Sequence, residues 1–171
     1  MKSTITFFLL IFVISLLSVS KVQAIGLEVD PGKINIQNVP LGKKIAVSEL
    51  GGKEMKLRIK NKSKATYTYT INILHTFETK AELIKGYIDI PDTSWIMPEN
   101  KEVMVPAKST KVVELYLNIP KLEQYYNKKY QAIIEVKSKK NRPEEIFVLA
   151  CQLQMFFSTC AEEKEEQSES R

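Results

Sequence analysis

The side chains equipped for chemistry are few and scattered. His75 is the only histidine, and a metal site or catalytic triad built on it would need a second His or a Cys cluster that the chain lacks. A structural or surface role is the expectation for such a lone imidazole. Asp89, Asp92, Glu99 and Glu102 flank Trp95, the sole tryptophan. Paired carboxylates beside an aromatic ring are the arrangement that binds or cleaves a sugar. The plainer alternative is a solvated loop whose Trp closes one end of a core, and the spacing is not that of a calcium loop. Cys151 and Cys160 are the only cysteines. Nine residues of extended chain would hold them roughly 30 Å apart, beyond disulfide reach. Cys151 is therefore expected as a buried thiol and Cys160 as a free or intermolecular one, neither of them reactive. A GxSxG elbow, a phosphate-cradling glycine loop and a metal-binding Cys or His set are all missing. The expectation is a non-catalytic protein with no cofactor and no metal.

Binding chemistry is better represented. Lys56, Arg58, Lys60, Lys62 and Lys64 occupy every second position, which in an extended chain places them on one face. Such a row suits an anionic cell-surface polymer or glycan, a phospholipid headgroup layer or an acidic protein. Equally, lysines on an outward strand face keep it soluble and discourage unwanted edge pairing. Lys43, Lys44, Lys137, Lys139, Lys140 and Arg142 are the further cations a fold might gather beside them. No aromatic platform interleaves with the row, so nucleic acid is not expected. In the last apolar segment, Val148, Ala150 and Phe156 make the outward parity unusually apolar. Two readings stay open there: a strand-pairing surface for a partner chain, or a strand buried on both faces in mid-sheet. Asn61-Lys62-Ser63 matches a glycosylation sequon, of consequence only in a eukaryotic secretory pathway.

The elements that must position these residues follow from alternation of period two. Leu57 and Ile59 alternate with Arg58 and Lys60; Tyr67, Tyr69, Ile71 and Ile73 alternate with Thr68, Thr70 and Asn72. Val113, Leu115 and Leu117, then Tyr130, Ala132, Ile134 and Val136, and finally Leu149, Cys151, Leu153, Met155 and Phe157 continue the pattern. Each stripe puts one face in a core and the other in water, as in antiparallel sheets. Turn signals such as Pro31-Gly32, Pro40-Leu41-Gly42, Gly51-Gly52 and Asn141-Arg142-Pro143 punctuate the runs. Strands are expected near 27–30, 33–39, 44–48, 54–61, 65–77, 84–90, 102–105, 111–119, 129–138 and 145–158. Helix is expected only as a turn near Pro120–Tyr126 and, more weakly, at Lys80–Lys85. Connections of unequal length favour an all-β, single immunoglobulin-like Greek-key β-sandwich of about seven to nine strands over a closed barrel.

The ends differ in character. Lys2 followed by the apolar run Ile5–Val19 and by Val22-Gln23-Ala24 predicts a signal peptide, residues 1–24, cleaved after Ala24, with an uncleaved anchor as the alternative. That run is shorter than the roughly 20 residues of a membrane span, and no second one follows, so no integral membrane span is expected in the mature chain. Residues 25–160 are expected to form the domain and 161–171 an acidic disordered tail, with five Glu against Lys164 and Arg171. The net charge of the whole sequence is +5, below that of a dedicated nucleic-acid binder. The destination implied is secreted: periplasmic, extracellular or cell-surface.

The order of segments also carries a resemblance. Val29-Asp30-Pro31-Gly32-Lys33-Ile34-Asn35-Ile36, Leu57-Arg58-Ile59-Lys60-Asn61-Lys62-Ser63, Trp95-Ile96-Met97-Pro98, Val105-Pro106-Ala107-Lys108-Ser109-Thr110, Ile119-Pro120 and Tyr130-Gln131-Ala132-Ile133-Ile134-Glu135-Val136 follow one another. This resembles the immunoglobulin-like domains of the PapD-like and major-sperm-protein-like superfamily, and is similar to the extracellular domain of WxL-associated bacterial surface proteins. The resemblance covers roughly residues 27–158 and implies a seven-stranded sandwich. It also implies contact with another envelope or surface protein, or with the cell wall, and offers a pilus-chaperone-like role as an alternative. The quoted segments mark turns and strand starts, and none marks a reactive group.

Overall fold

The computed structural model describes residues 26–139 and 148–162. The leader with Ala24, the Asn141-Arg142-Pro143 turn and the tail beyond Glu162 lie outside the described residues. Within them the chain forms twelve strands: β1 (Leu27–Asp30), β2 (Lys33–Val39), β3 (Lys44–Ala46), β4 (Leu57–Asn61), β5 (Tyr67–Leu74), β6 (Ile88–Asp89), β7 (Ile96–Pro98), β8 (Glu102–Val105), β9 (Thr110–Val113), β10 (Leu115–Asn118), β11 (Lys129–Ser138) and β12 (Ala150–Thr159). The longest, β5, β11 and β12, come from the alternating runs richest in β-branched and aromatic residues, whose side chains fit a half-buried pleated surface.

The strands build two layers. In one, β2, β12, β11, β5 and β8 lie side by side in that order, and β6 runs parallel to the start of β11. In the other, β1–β4–β9 and β3–β10–β7 are two three-stranded sheets. They are joined because β9 and β10 are one stretch of chain interrupted at Glu114. Residues 27–39 bridge the layers: β1 pairs antiparallel with β4, and β2 then joins β12 in parallel. Neighbours distant in sequence, such as β4 beside β9 and β5 beside β11, belong to Greek-key connections rather than to a meander. Leu57, Ile59, Val113, Leu115 and Leu117 of one layer share a single buried cluster with Ile34, Ile36, Tyr69, Ile134, Met155 and Phe157 of the other. Each such aliphatic or aromatic burial contributes about 2 kcal/mol. Trp95 closes one end of this core, edge-on to Tyr125 at 4.8 Å and to Tyr130 at 5.4 Å.

Several expectations need correcting. The strand expected over 44–48 stops at Ala46, and that expected over 54–61 begins at Leu57. Ala46 pairs with Tyr116 and Leu57 with Val113, so ten residues face only Glu114 and Leu115. The surplus loops out as a short helix, α1 (Val47–Gly51), and a 3-10 turn (Lys53–Met55), while Val47 stays fully buried. The run expected over 111–119 splits at the same Glu114. The strand expected over 84–90 shrinks to β6, and Lys80–Lys85 forms no helix. The expected turn near Pro120–Tyr126 is a 3-10 turn at Glu123–Tyr125. Division of long runs, together with the short β6 and β7, raises the count from the expected seven to nine strands to twelve. Cys151, expected buried, is half-buried like Cys160, and both thiols are free. Burial raises the Cys151 pKa.

Candidate functional site: a basic ladder and an open edge cleft

Of the lysine row, Arg58 and Lys60 lie on β4, while Lys56 precedes it and Lys62 and Lys64 follow it. Lys56, Arg58, Lys60, Lys62 and Lys64 alternate with buried Leu57, Ile59, Asn61 and Ser63. β4, however, lies between β1 and β9, and β1 presents carboxylates to it. Arg58 contacts Asp30 at 2.7 Å, its cross-strand partner, while Lys60 (3.9 Å) and Lys62 both reach Glu28. Lys56 sits 2.9 Å from Glu114. The hydrogen bond from Lys62 holds the Glu28 carboxyl below its ordinary range, and that from Lys56 to Glu114 raises the ammonium pKa. Lys139 is engaged by Glu102 at 2.5 Å. Lys44 pairs with Asn118, at the far end of the 110–118 run from Lys60, which pairs with Thr110.

Glu114 is the ladder's buried terminus, with only 8% of its surface exposed. The Ser48 hydroxyl donates to its Oε2 at 2.6 Å and the Ser48 amide to its Oε1 at 3.4 Å. Burial pushes its pKa up, but the two Ser48 donors and Lys56 outweigh that and leave it below the ordinary 4.5. A charge here is thus held by directed donors at the point where the strand breaks.

The other nominated residues are also engaged. β12 has β11 on one edge and β2 on the other. Phe156, 1% exposed, lies under the edge of Tyr87 at 5.0 Å, with the Lys33 ammonium 4.4 Å from its ring. Val148 and Ala150 remain exposed. Phe156 is therefore covered by its own chain and is not joined with Val148 and Ala150 in one open surface. Asp89 accepts from the Thr76 amide and hydroxyl, and Asp92 from the Ser94 amide, which lowers the Asp92 pKa. His75 stacks on Phe77 at 4.8 Å and its Nδ1 is 3.7 Å from Asp89. These carboxylates fasten loops. Among the described residues no group of three or more His, Cys, Asp or Glu side chains could hold a metal ion. The sequon asparagine, Asn61, is fully buried. Its amide donates to the carbonyls of Ala65 (2.7 Å) and Val105 (3.0 Å), so it ties two turns together rather than offering itself to an oligosaccharide.

Open space lies at the side of the sandwich, between β5 and β7. A cleft of about 890 Å³ is lined by Ile71, Ile73, Ile96, Met97 and Tyr116, with Lys44, Glu99 and Lys101 also among its lining residues. Its walls are strand edges. β5 pairs with β8 only over Tyr67–Thr70, after which the Ile71 amide donates to Lys101. The two-residue backbone period then turns the N–H and C=O of Ile73 to that same side, where the described residues supply no partner strand. Among the described residues β7 pairs with β10 alone and ends in Pro98, a residue tolerated at a strand edge because it has no N–H to leave unpaired.

No family model matches the sequence, and no curated protein matches it. Solved structures do. The periplasmic chaperone SfaE superposes with a TM-score of 0.51 at 10% identity, covering 78% of this chain and 58% of that one. The SafB chaperone, solved with the SafA pilin of Salmonella enterica, gives 0.53 at 6% identity, covering 82% of this chain and 57% of that one. An ASH/PapD-like domain of human CEP192 gives 0.52 at 10% identity, covering 80% and 87%. The fold is PapD-like. This chain spans under two thirds of the two chaperone chains it resembles.

Within the PapD-like frame, one feature has only an indirect sequence signal. Residues 79–87 cross the outer face of the β11–β12 sheet as a flap. Fully buried Gln131 holds it, accepting from the Ile84 amide at 2.8 Å and donating to the Glu82 carbonyl at 2.9 Å. Gly86, at φ +90°, turns the chain in a conformation that side-chain-bearing residues avoid, and Tyr87 then lands on Phe156. The flap buries Ile133 and Phe156 on what would otherwise be a solvent face. The one available clue was the apolar outward parity of β11 and β12 at those positions.

Proposed function

We propose that this chain is a secreted, non-catalytic protein-binding sandwich that receives an extended segment of another envelope protein in the cleft between β5 and β7. The N–H and C=O of Ile73, which face no partner strand among the described residues, carry the proposal, because such an edge beside an apolar trough is completed most directly by an added strand. Main-chain hydrogen bonds then supply affinity, and alternate side chains supply selectivity. Ile73 and Met97, both half-buried, would take the apolar positions of such a segment. The PapD-like chaperones, one of them solved with a pilin and another in a chaperone–tip adhesin complex, support a protein partner and keep a pilus-chaperone-like role as the second reading.

A photo-crosslinking residue placed at Asn72 in the host that secretes the protein tests this, with the same residue at Lys60 as control. The expected result is a cross-linked partner from position 72 alone, whose attached peptide is an extended apolar stretch. Met97→Arg should abolish it. Equal labelling from both positions, or labelling unchanged by Met97→Arg, would overturn the assignment.

A further inference from the structure

We infer that the cations available to an anionic partner lie at the pole of the sandwich that Trp95 closes, where Lys43, Lys44, Lys121, Lys128 and Lys129 form a surface for a flexible polyanion bearing phosphate or carboxylate groups. Three stretches of chain meet there. The Gly42 amide donates to the Ile119 carbonyl at 2.7 Å. A Cβ at Gly42 would lie 2.9 Å from that of Lys121, so Lys43, Lys44 and Lys121 are adjacent. The Cys160 amide donates to the Val39 carbonyl at 3.0 Å, and the Asn127 amide to the Cys160 carbonyl at 3.1 Å. That links the stretch before Gly42 to Lys128, whose amide is held by the Thr159 hydroxyl at 2.9 Å, and to Lys129, which pairs with Ser158.

All five lysines are exposed. None of their ammonium groups makes an ion pair among the described residues, and Lys44 lies 4.2 Å from the centre of the Tyr116 ring. Among the described residues of these stretches the acids are Glu123 and Glu162, so five lysines meet two carboxylates there. The chemistry of the pole selects the occupant. The cations are lysines without an arginine fork, so they act as mobile point charges rather than as a bidentate cradle for one fixed group. That suits a chain of repeated anionic groups, bound with release of its counterions. Leu122 is the one large exposed hydrophobic side chain among the described residues of these stretches, which is little apolar surface for insertion into a membrane.

The test measures binding of the full secreted chain to long-chain polyphosphate, to polyglutamate and to phosphatidylglycerol vesicles over a range of salt concentrations. Tight binding to one or both polymers, weakening steeply with salt, is expected, and which polymer binds tells phosphate from carboxylate recognition. Lys43→Glu, Lys121→Glu and Lys128→Glu together should weaken it about 10-fold or more, with thermal unfolding confirming that this variant is folded. Lys60→Glu with Lys62→Glu on the ladder should change it less than about 2-fold. Equal losses from the two variants, no polymer binding at low salt, or tighter binding to vesicles than to either polymer would each overturn the assignment.

Discussion

Two lysine-rich regions of this molecule, one a regular row in the sequence and the other assembled from separate stretches, differ in what the fold leaves free. On β4 and at its two ends, Lys56, Arg58, Lys60 and Lys62 each find a carboxylate: Arg58 has Asp30 and Lys60 and Lys62 share Glu28 on the neighbouring β1, while Lys56 has the buried Glu114. At the pole, five lysines drawn from three separate stretches find none among the described residues. A regular spacing of cations therefore marks a strand face, and on a central strand that face has neighbours able to neutralise it. The irregularly spaced cations, drawn from loops and strand ends, are the ones left to act on something outside. Charge density along the chain is a poor guide to charge available in space.

The largest expected effect of breaking this contrast comes from Glu114. Glu114→Ala leaves the Ser48 donors and Lys56 without their acceptor at a buried strand break, and should cost about 3 kcal/mol in urea unfolding. Lys121→Ala at the pole should change stability by less than about 0.5 kcal/mol. A ladder whose key carboxylate were as dispensable as a pole lysine would not be a structural device.

Acid should then separate the regions. Glu114 has a folded pKa below its ordinary 4.5, so the unfolded state binds the proton more readily. Its contribution is complete above 4.5 and is lost as the pH falls through the depressed folded value. Lys56 works in the opposite sense: its folded pKa is above the ordinary 10.5, so its contribution is present below 10.5 and lost as the pH rises through the raised value. Unfolding midpoints measured from pH 7 down to pH 3 should fall more steeply for the wild type than for Glu114→Gln. Coincident slopes would mean that the carboxylate is not held by the fold.

The contrast also shows which parts of the structure were legible beforehand. Period-two alternation exposed β4, β5, β11 and β12 because burial on one face is a local property of the chain. Pairing is not local. Glu28 and Asp30 precede Arg58 and Lys60 by about thirty residues of sequence, and nothing in the pattern says that β1 lies beside β4. Glu114 was hidden for a different reason: it interrupts an alternating run at a point where the partner strand carries surplus residues, so its meaning depends on register. The flap was hidden because a buried glutamine side chain, rather than a strand ladder, ties Ile84 and Glu82 down. The cleft is defined by backbone groups that every residue possesses, so side-chain types could announce only its lining.

A smaller and more telling effect is expected from releasing the ladder instead of breaking it. Glu28→Gln together with Asp30→Asn removes the carboxylates facing Lys60, Lys62 and Arg58 while keeping side-chain volume and hydrogen-bonding capacity. Exposed pairs of this kind contribute little to stability, so the unfolding midpoint should hardly move. Freed of their counter-charges, the three cations would present a second basic surface on the β4 face, and polyphosphate affinity at low salt should rise about 3-fold. The pole variant carrying Lys43→Glu, Lys121→Glu and Lys128→Glu should then recover part of its lost binding when combined with these two changes. Recovery would show that ion pairing within the layer, rather than the shape of the β4 face, keeps that row silent. If affinity stays flat in both backgrounds, neutralisation by Glu28 and Asp30 is not what distinguishes the two lysine regions.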